Sequence, residues 1–165
     1  MKQHSKGLAV VTGASSGIGA VYAGRLARRG YDVLRVARNQ LRMADLAKKL
    51  VSETGSNVDI LAADRTDSDD VVRLEQFFRE DSRVTLLVNN AGVAATAPLL
   101  KSDVAAISRM IARNVEAVTR LTYAAAPAFV KRGAGVIINI ASVVAARVGQ
   151  HGSQCSGRST WSDRY

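Results

Sequence analysis

Five short β-branched runs, at 8–12, 32–37, 58–61, 84–88 and 136–140, constrain this chain more than any other feature. They are near-continuously apolar rather than alternating, as strands covered on both faces must be. Helix-length stretches separate them, near 17–29, 40–53, 68–80 and 103–131. In the first of these Ile18, Tyr22 and Leu26 recur at a spacing of four and so share one face, and Gly30 stands where a helix stops. Strand and helix alternating at this spacing require right-handed crossovers, hence a parallel sheet with helices on both sides. The expected fold is α/β, a doubly wound three-layer α/β/α sheet, in one domain over residues 1–149.

Composition fits a globular chain: of 165 residues 47% are hydrophobic and 22% charged. The apolar run at 8–11 is far short of the ~20 residues of a membrane span, and no signal peptide is recognisable, so no membrane partner is expected. A single cysteine, Cys155, cannot form an internal disulfide and fits a reducing compartment. A cytoplasmic location is the expectation. The net charge of +9 raises nucleic acid as a partner. The basic residues are scattered, however, and no aromatic side chains interleave with them as a stacking platform would need. A solvated basic face is the expected reading, with part of the charge available to a phosphorylated cofactor. No metal ligand set is expected.

The run Thr12-Gly13-Ala14-Ser15-Ser16-Gly17-Ile18-Gly19 leaves the first strand and opens the first helix. The first glycine permits a tight turn; the later two let backbone approach a bound group and let helix pack on strand. Backbone N–H groups and the positive end of the helix dipole then suit a pyrophosphate. An ordinary glycine-rich turn is the bland alternative.

TGASSGIG resembles the cofactor signature of the short-chain dehydrogenase/reductase family. Asp64 after the third strand, Asn89-Asn90-Ala91-Gly92 after the fourth, Asn114 in the long helix and Ser142 after the fifth resemble the same family in the same order. The resemblance extends over residue 7 to about residue 149. It implies a Rossmann-type fold and an NAD(P)-dependent oxidoreductase, with Gly13, Ser15, Ser16, Gly17, Ile18 and Gly19 at the cofactor phosphates. By the same resemblance Asp64 accepts from the adenine amino group, and Asn90, Ala91 and Gly92 run along the adenosine ribose. A strand-ending turn would also favour asparagine at 89 and 90.

In NAD-selective relatives an acidic residue ends the second strand and bonds the ribose hydroxyls. Here Ala37 holds that place and Arg38 follows. A guanidinium offers a fork to a 2′-phosphate that a carboxylate would repel, so NADP is expected over NAD. Alternatively Arg38 is a surface arginine starting a loop.

Relatives move hydride between nicotinamide and a carbonyl or alcohol carbon, the protein supplying a proton and holding the reactants together. The resemblance gives Ser142 the substrate oxygen and Asn114 a water of the proton relay. A strand-end serine and a helix-packing asparagine are the plainer alternatives. The positions where the resemblance sets the acid/base tyrosine and its lysine hold Cys155 and Ser159, which cannot replace them. A Cys155–His151 nucleophilic pair is disfavoured for want of an oxyanion scaffold.

Residues 150–165 lack periodicity and read as an irregular tail. Shifted by one base near residue 154, the codons for 157–165 are compatible with the family's helix beyond that tyrosine, so a frameshifted, C-terminally incomplete domain is expected. Such a domain would leave the fifth strand without a cover and the long helix short of a neighbour, with exposed apolar surface and poor solubility. The leading expectation is an oxidoreductase by descent with an incomplete active site, acting in its family on a small carbonyl or alcohol substrate. The competing one is a non-catalytic nucleotide-binding module, a homo-oligomer or partner of full-length relatives through the helix at 103–131.

Overall fold

The structure, a computed structural model, describes residues 5–94 and 101–141. Five strands, β1 (Leu8–Thr12), β2 (Asp32–Ala37), β3 (Val58–Ala62), β4 (Val84–Asn89) and β5 (Val136–Asn139), form one sheet in the order β3-β2-β1-β4-β5. Every pairing is parallel. The helices are α1 (Gly17–Arg28), α2 (Gln40–Thr54), α3 (Ser68–Glu80), α4 (Val104–Ile111) and α5 (Ala117–Arg132).

Alternate side chains of the central strands fill two separate cores, the consequence of a period of two. Val10, Leu34, Val36 and Leu87 pack against Leu74 and Phe78 of α3 and Leu121 and Phe129 of α5. Ala9, Val11, Val33 and Val88 pack on the opposite face against Ala23 and Leu26 of α1 and Leu50 of α2. The result is the three-layer sandwich expected from the alternation of strand and helix. Strand order reverses beside β1: the chain moves outward through β2 and β3, then crosses to β4 and β5. The loops that leave β1 and β4 therefore part at the carboxyl ends of these strands and open a crevice there.

Three local expectations change. The stretch at 103–131 is interrupted: α4 and α5 join through a π-turn, Ala112–Glu116, which contains Asn114. Of the face drawn through Ile18, Tyr22 and Leu26, only Leu26 is fully buried and Tyr22 packs partly on the core, whereas Ile18 is 59% exposed. Ile18 lies off the buried face, which runs through Gly19, Ala23, Leu26 and Ala27. The third strand extends to Ala62, the fourth to Asn89, and the fifth stops at Asn139. Gly30, with φ +87°, follows the last turn of α1 as expected.

On the outer face Val104, Ile111, Val115, Tyr123 and Val130 of the α4–α5 segment are exposed, as is Val136 at the start of β5. No helix among the described residues is long and apolar enough to cross a membrane.

Candidate nucleotide-binding site

The crevice holds a cavity of about 650 Å³, floored by the ends of β1, β2 and β4. Eight of the residues expected at a cofactor line it: Gly13, Ser15, Ser16, Arg38, Asp64, Asn90, Ala91 and Gly92. Gly17, Ile18 and Gly19 do not. Ser142, together with Cys155, Ser159 and His151, lies outside the described residues.

The glycine loop owes its shape first to contacts within the chain. Gly13 has φ +68°, and a Cβ there would lie 2.6 Å from the Ala91 Cβ. A Cβ on Gly19 would lie 2.4 Å from the Gly13 carbonyl oxygen and from Asn90 Nδ2. Loop, helix and the segment after β4 thus approach to distances that exclude any side chain. Gly17 differs: nothing lies within 4 Å of its would-be Cβ, and its φ of +54° is what calls for glycine.

Thr12 stitches the two loops together, a role its place at the end of an apolar strand could have signalled. Its Oγ1 donates to the Val88 carbonyl at 3.2 Å and accepts from the N–H groups of Asn90 (3.0 Å) and Ala91 (3.3 Å). The Asn90 side chain returns a bond to the Thr12 carbonyl at 3.0 Å. Asn90 is therefore a brace between strand ends as well as a cavity wall.

The amino end of α1 opens beside this space, at Ser16, without a side-chain cap. Ser16 occupies the N-cap and makes no side-chain capping bond, and no acidic residue stands in the first turn. By contrast α2, α3 and α4 begin with Asn39, Asp67 and Asp103, each accepting from a backbone N–H of its own helix. Uncapped N–H groups at the positive end of a helix dipole are an anion site.

Asp64 forms the far wall. Its Oδ1 accepts from Thr66 N (3.0 Å), Thr66 Oγ1 (2.8 Å) and Arg113 Nη2 (3.3 Å), while Oδ2 lies 3.7 Å from Arg38 Nη1. Burial acts to raise the carboxyl pKa, but the Thr66 bonds and the Arg113 charge together outweigh it and hold it below its ordinary value. Arg65, whose side chain is buried, donates to the Ala91 carbonyl. Its pKa is pushed down to about 10, by desolvation first and the neighbouring Arg113 second, with Asp64 opposing. Arg65 and Arg113 line the cavity and escaped the sequence reading, being two arginines among many in a basic chain.

Asn114 reaches the rim from the π-turn. Its Oδ1 accepts from Val93 N at 3.0 Å and its Nδ2 donates to the Val93 carbonyl at 2.7 Å. A Cβ on Gly92 would meet Asn114 Oδ1 at 3.4 Å. The π-turn thus sets the position of the loop after β4, consistent with the frequent use of such bulges at functional sites.

Three cationic side chains and one carboxylate around a cavity of this size, with an uncapped helix end at its edge, suit an elongated polyanion such as a dinucleotide. Residues 7–156 match the short chain dehydrogenase family. The chain belongs to that family. It is 35% identical over 137 residues to an uncharacterized oxidoreductase of Staphylococcus saprophyticus, covering 82% of this chain and 58% of the relative. A short-chain dehydrogenase from Sphingobium yanoikuyae solved in complex with NADPH superposes with a TM-score of 0.81 at 46% identity, over 83% of this chain and 54% of that one. The bulky-bulky ketone specific alcohol dehydrogenase from Comamonas testosteroni superposes at 0.82 and 41% identity, over 85% and 56%. This member of the short chain dehydrogenase family thus spans somewhat more than half the length of these relatives.

Proposed function

We propose that this chain binds NADP(H) in the crevice and descends from enzymes that transfer hydride between this cofactor and a carbonyl or alcohol substrate. The observation that carries the reading is the uncapped amino end of α1 beside a cavity that Arg38 also lines. The N–H groups at Ser15, Ser16 and the start of α1 would hold the diphosphate, with Gly17 and Gly19 shaping the turn. Arg38, 65% exposed and only loosely engaged by Asp64, would take the 2′-phosphate. Asp64, Asn90, Ala91 and Gly92 would bound the adenosine. Bound cofactor supplies the hydride chemistry; the chain binds, orients and excludes water.

In this reading Ser142 hydrogen-bonds the substrate oxygen and Asn114 holds a water of the proton relay. The proton itself has no donor of the family's kind, because Cys155 and Ser159 stand where the tyrosine and lysine are expected. The chain is then a nucleotide-binding protein with turnover greatly reduced or lost. The alternative of a non-catalytic module pairing with full-length relatives draws support from the exposed apolar side chains of the α4–α5 segment.

Fluorescence titration with NADPH and NADH, followed by a ketone-reduction assay, tests the reading. Saturable NADPH binding about tenfold or more tighter than NADH is expected from one added charge-assisted contact. Binding with vigorous turnover would refute the loss of activity. Folded protein that ignored both nucleotides at millimolar concentration would refute the site.

A further inference from the structure

Arg35 heads the fully buried side chains, at 1% exposure, in the middle of β2. A strand position this deep in a doubly wound sheet belongs to an aliphatic residue; Val33, two residues earlier on the same face, is one. Arginine there takes no part in any ion pair among the described residues. Arg35 also borders a cavity of about 310 Å³ lined by residues of α1 and α2. Its one carboxylate, Glu53, is engaged by Arg28 at 2.9 Å and Lys49 at 3.9 Å. Arg35 Nε has no hydrogen-bond partner, and burial lowers its pKa. A buried cation without an anion is a standing cost to the fold.

The guanidinium does make one contact that explains its place: Nη2 donates to the carbonyl of Ala14, inside the glycine loop. In a trans peptide the carbonyl and the following N–H point in opposite directions. Drawing the Ala14 carbonyl down toward the sheet therefore turns the Ser15 N–H away from it, and Ser15 lines the large cavity on the other side. The same arrangement recurs at the second loop. Buried Arg65 donates to the Ala91 carbonyl, directly before Gly92, and its Nη1 also lacks a partner.

We propose that Arg35 is a positioning residue for the phosphate loop: from beneath it fixes the Ala14–Ser15 peptide, and its buried charge finds its counter-anion only when a diphosphate rests on that loop. This rests on the nucleotide-binding reading above and adds a residue that acts through the loop and not by touching the ligand. Solvent screens a buried charge less than an exposed one, so the Arg35 charge also acts on the loop from beneath.

The test uses the full chain with Arg35→Met and Arg35→Lys, titrated with ADP and with adenosine, alongside thermal melts without ligand. Arg35→Met replaces an unpaired charge by a flexible apolar chain, so its melting temperature without ligand should rise. Its ADP affinity should fall about tenfold or more, from loss of the fixed peptide and the charge together, while adenosine affinity stays within about twofold. Arg35→Lys, which keeps the charge and loses the fork, should fall between wild type and Arg35→Met for ADP. A merely structural arginine would behave otherwise: both ligands would weaken together and the melting temperature would drop. That result, or unchanged ADP binding in Arg35→Met, overturns the proposal. If Arg35→Met does not fold, Arg35→Lys decides, since equal losses for ADP and adenosine in it would refute the selective effect. Wild-type protein that bound neither ADP nor NADPH would remove the nucleotide reading itself, a failure visible before any variant is compared.

Discussion

Asn114 holds both main-chain polar groups of Val93, accepting from its N–H at 3.0 Å and donating to its carbonyl at 2.7 Å. At neutral pH an amide offers a donor and an acceptor side by side in this way, so the bond pattern accounts for the residue type. The loop after β4, with Gly92 packed under it, thereby takes its position from the π-turn. Asn114→Leu removes both bonds and should lower stability by about 1–2 kcal/mol, at the modest end because the site is half-buried. Asn114→Asp keeps one bond but sets a carboxylate against the Val93 carbonyl, so its penalty should grow as pH rises through the range where that group ionises. Urea denaturation at neutral and at acidic pH measures both; an Asn114→Asp penalty independent of pH would contradict the pairing.

The glycines of the first loop are required for different reasons, and single substitutions should separate them. Alanine at Gly19 brings its Cβ to 2.4 Å from the Gly13 carbonyl, a backbone atom that can yield only if the loop moves. A loss of about 1–3 kcal/mol is expected, together with a weakened nucleotide site. At Gly17 alanine meets nothing within 4 Å and has only its φ of +54° to accommodate, for about 1–2 kcal/mol. Calorimetric melts and ADP titration of the two variants check this. The expected distinction is in binding: Gly19→Ala should lose ADP affinity by more than Gly17→Ala does.

Much of this was legible in the sequence because one rule governs each part of it. Continuous apolar strands and intervening helices dictate a parallel, two-sided sheet, and all five strands fall within one residue of where the pattern sets them. The glycine loop, Asp64 and Asn90 to Gly92 meet at one cavity because each follows a strand whose carboxyl end faces the crevice. What escaped is tertiary. Helical periodicity carries no readable mark of the π-turn at Ala112–Glu116, because neither α4 nor the turn itself buries a side chain against which the shift of face could be seen. Arg35, Arg65 and Arg113 are three letters among 23 basic residues, and only coordinates separate those buried beneath loops from those in solvent. Ile18 misled in the opposite sense: it fits the apolar spacing of α1 but is exposed, because the buried face of the helix runs through its neighbour Gly19.

Helices α3 and α5 are tied by Arg120, whose Nε lies 2.6 Å from Glu75 Oε1, with Arg79 at 3.5 Å from the other oxygen. The Arg120 hydrogen bond is the largest cause that holds the Glu75 carboxyl below its ordinary 4.5, against the opposing effect of burial. A depressed carboxyl pKa contributes stability that is present above the unfolded value and lost as pH falls through the folded one. Glu75→Gln should therefore be less stable than wild type at neutral pH, by about 1–2 kcal/mol, and the gap should close as pH falls below about 4.5. Guanidinium melts across that window measure the gap. A difference that stayed constant from pH 7 to pH 3 would remove Glu75 ionisation as its cause.

Arg38 gives the sharpest reading of cofactor choice, because its guanidinium is exposed and its only anionic neighbour among the described residues, Asp64 at 3.7 Å, is held mainly by Thr66 and Arg113. A 2′-phosphate carries between one and two negative charges near neutrality and loses the second at about pH 6. NADPH affinity should therefore decline as pH falls through about 6 and as salt screens this exposed pair, whereas NADH affinity should respond little to either. Arg38→Ala should weaken NADPH by about tenfold and leave NADH nearly unchanged. Arg38→Asp should go further and reverse the preference, since a carboxylate repels the phosphate and accepts from ribose hydroxyls. Titrations of wild type and both variants with the two cofactors at two ionic strengths supply the comparison. If the NADPH-to-NADH affinity ratio were the same in all three proteins, discrimination would have to come from elsewhere in the crevice, with Arg113 and Arg65 the next cations along its wall.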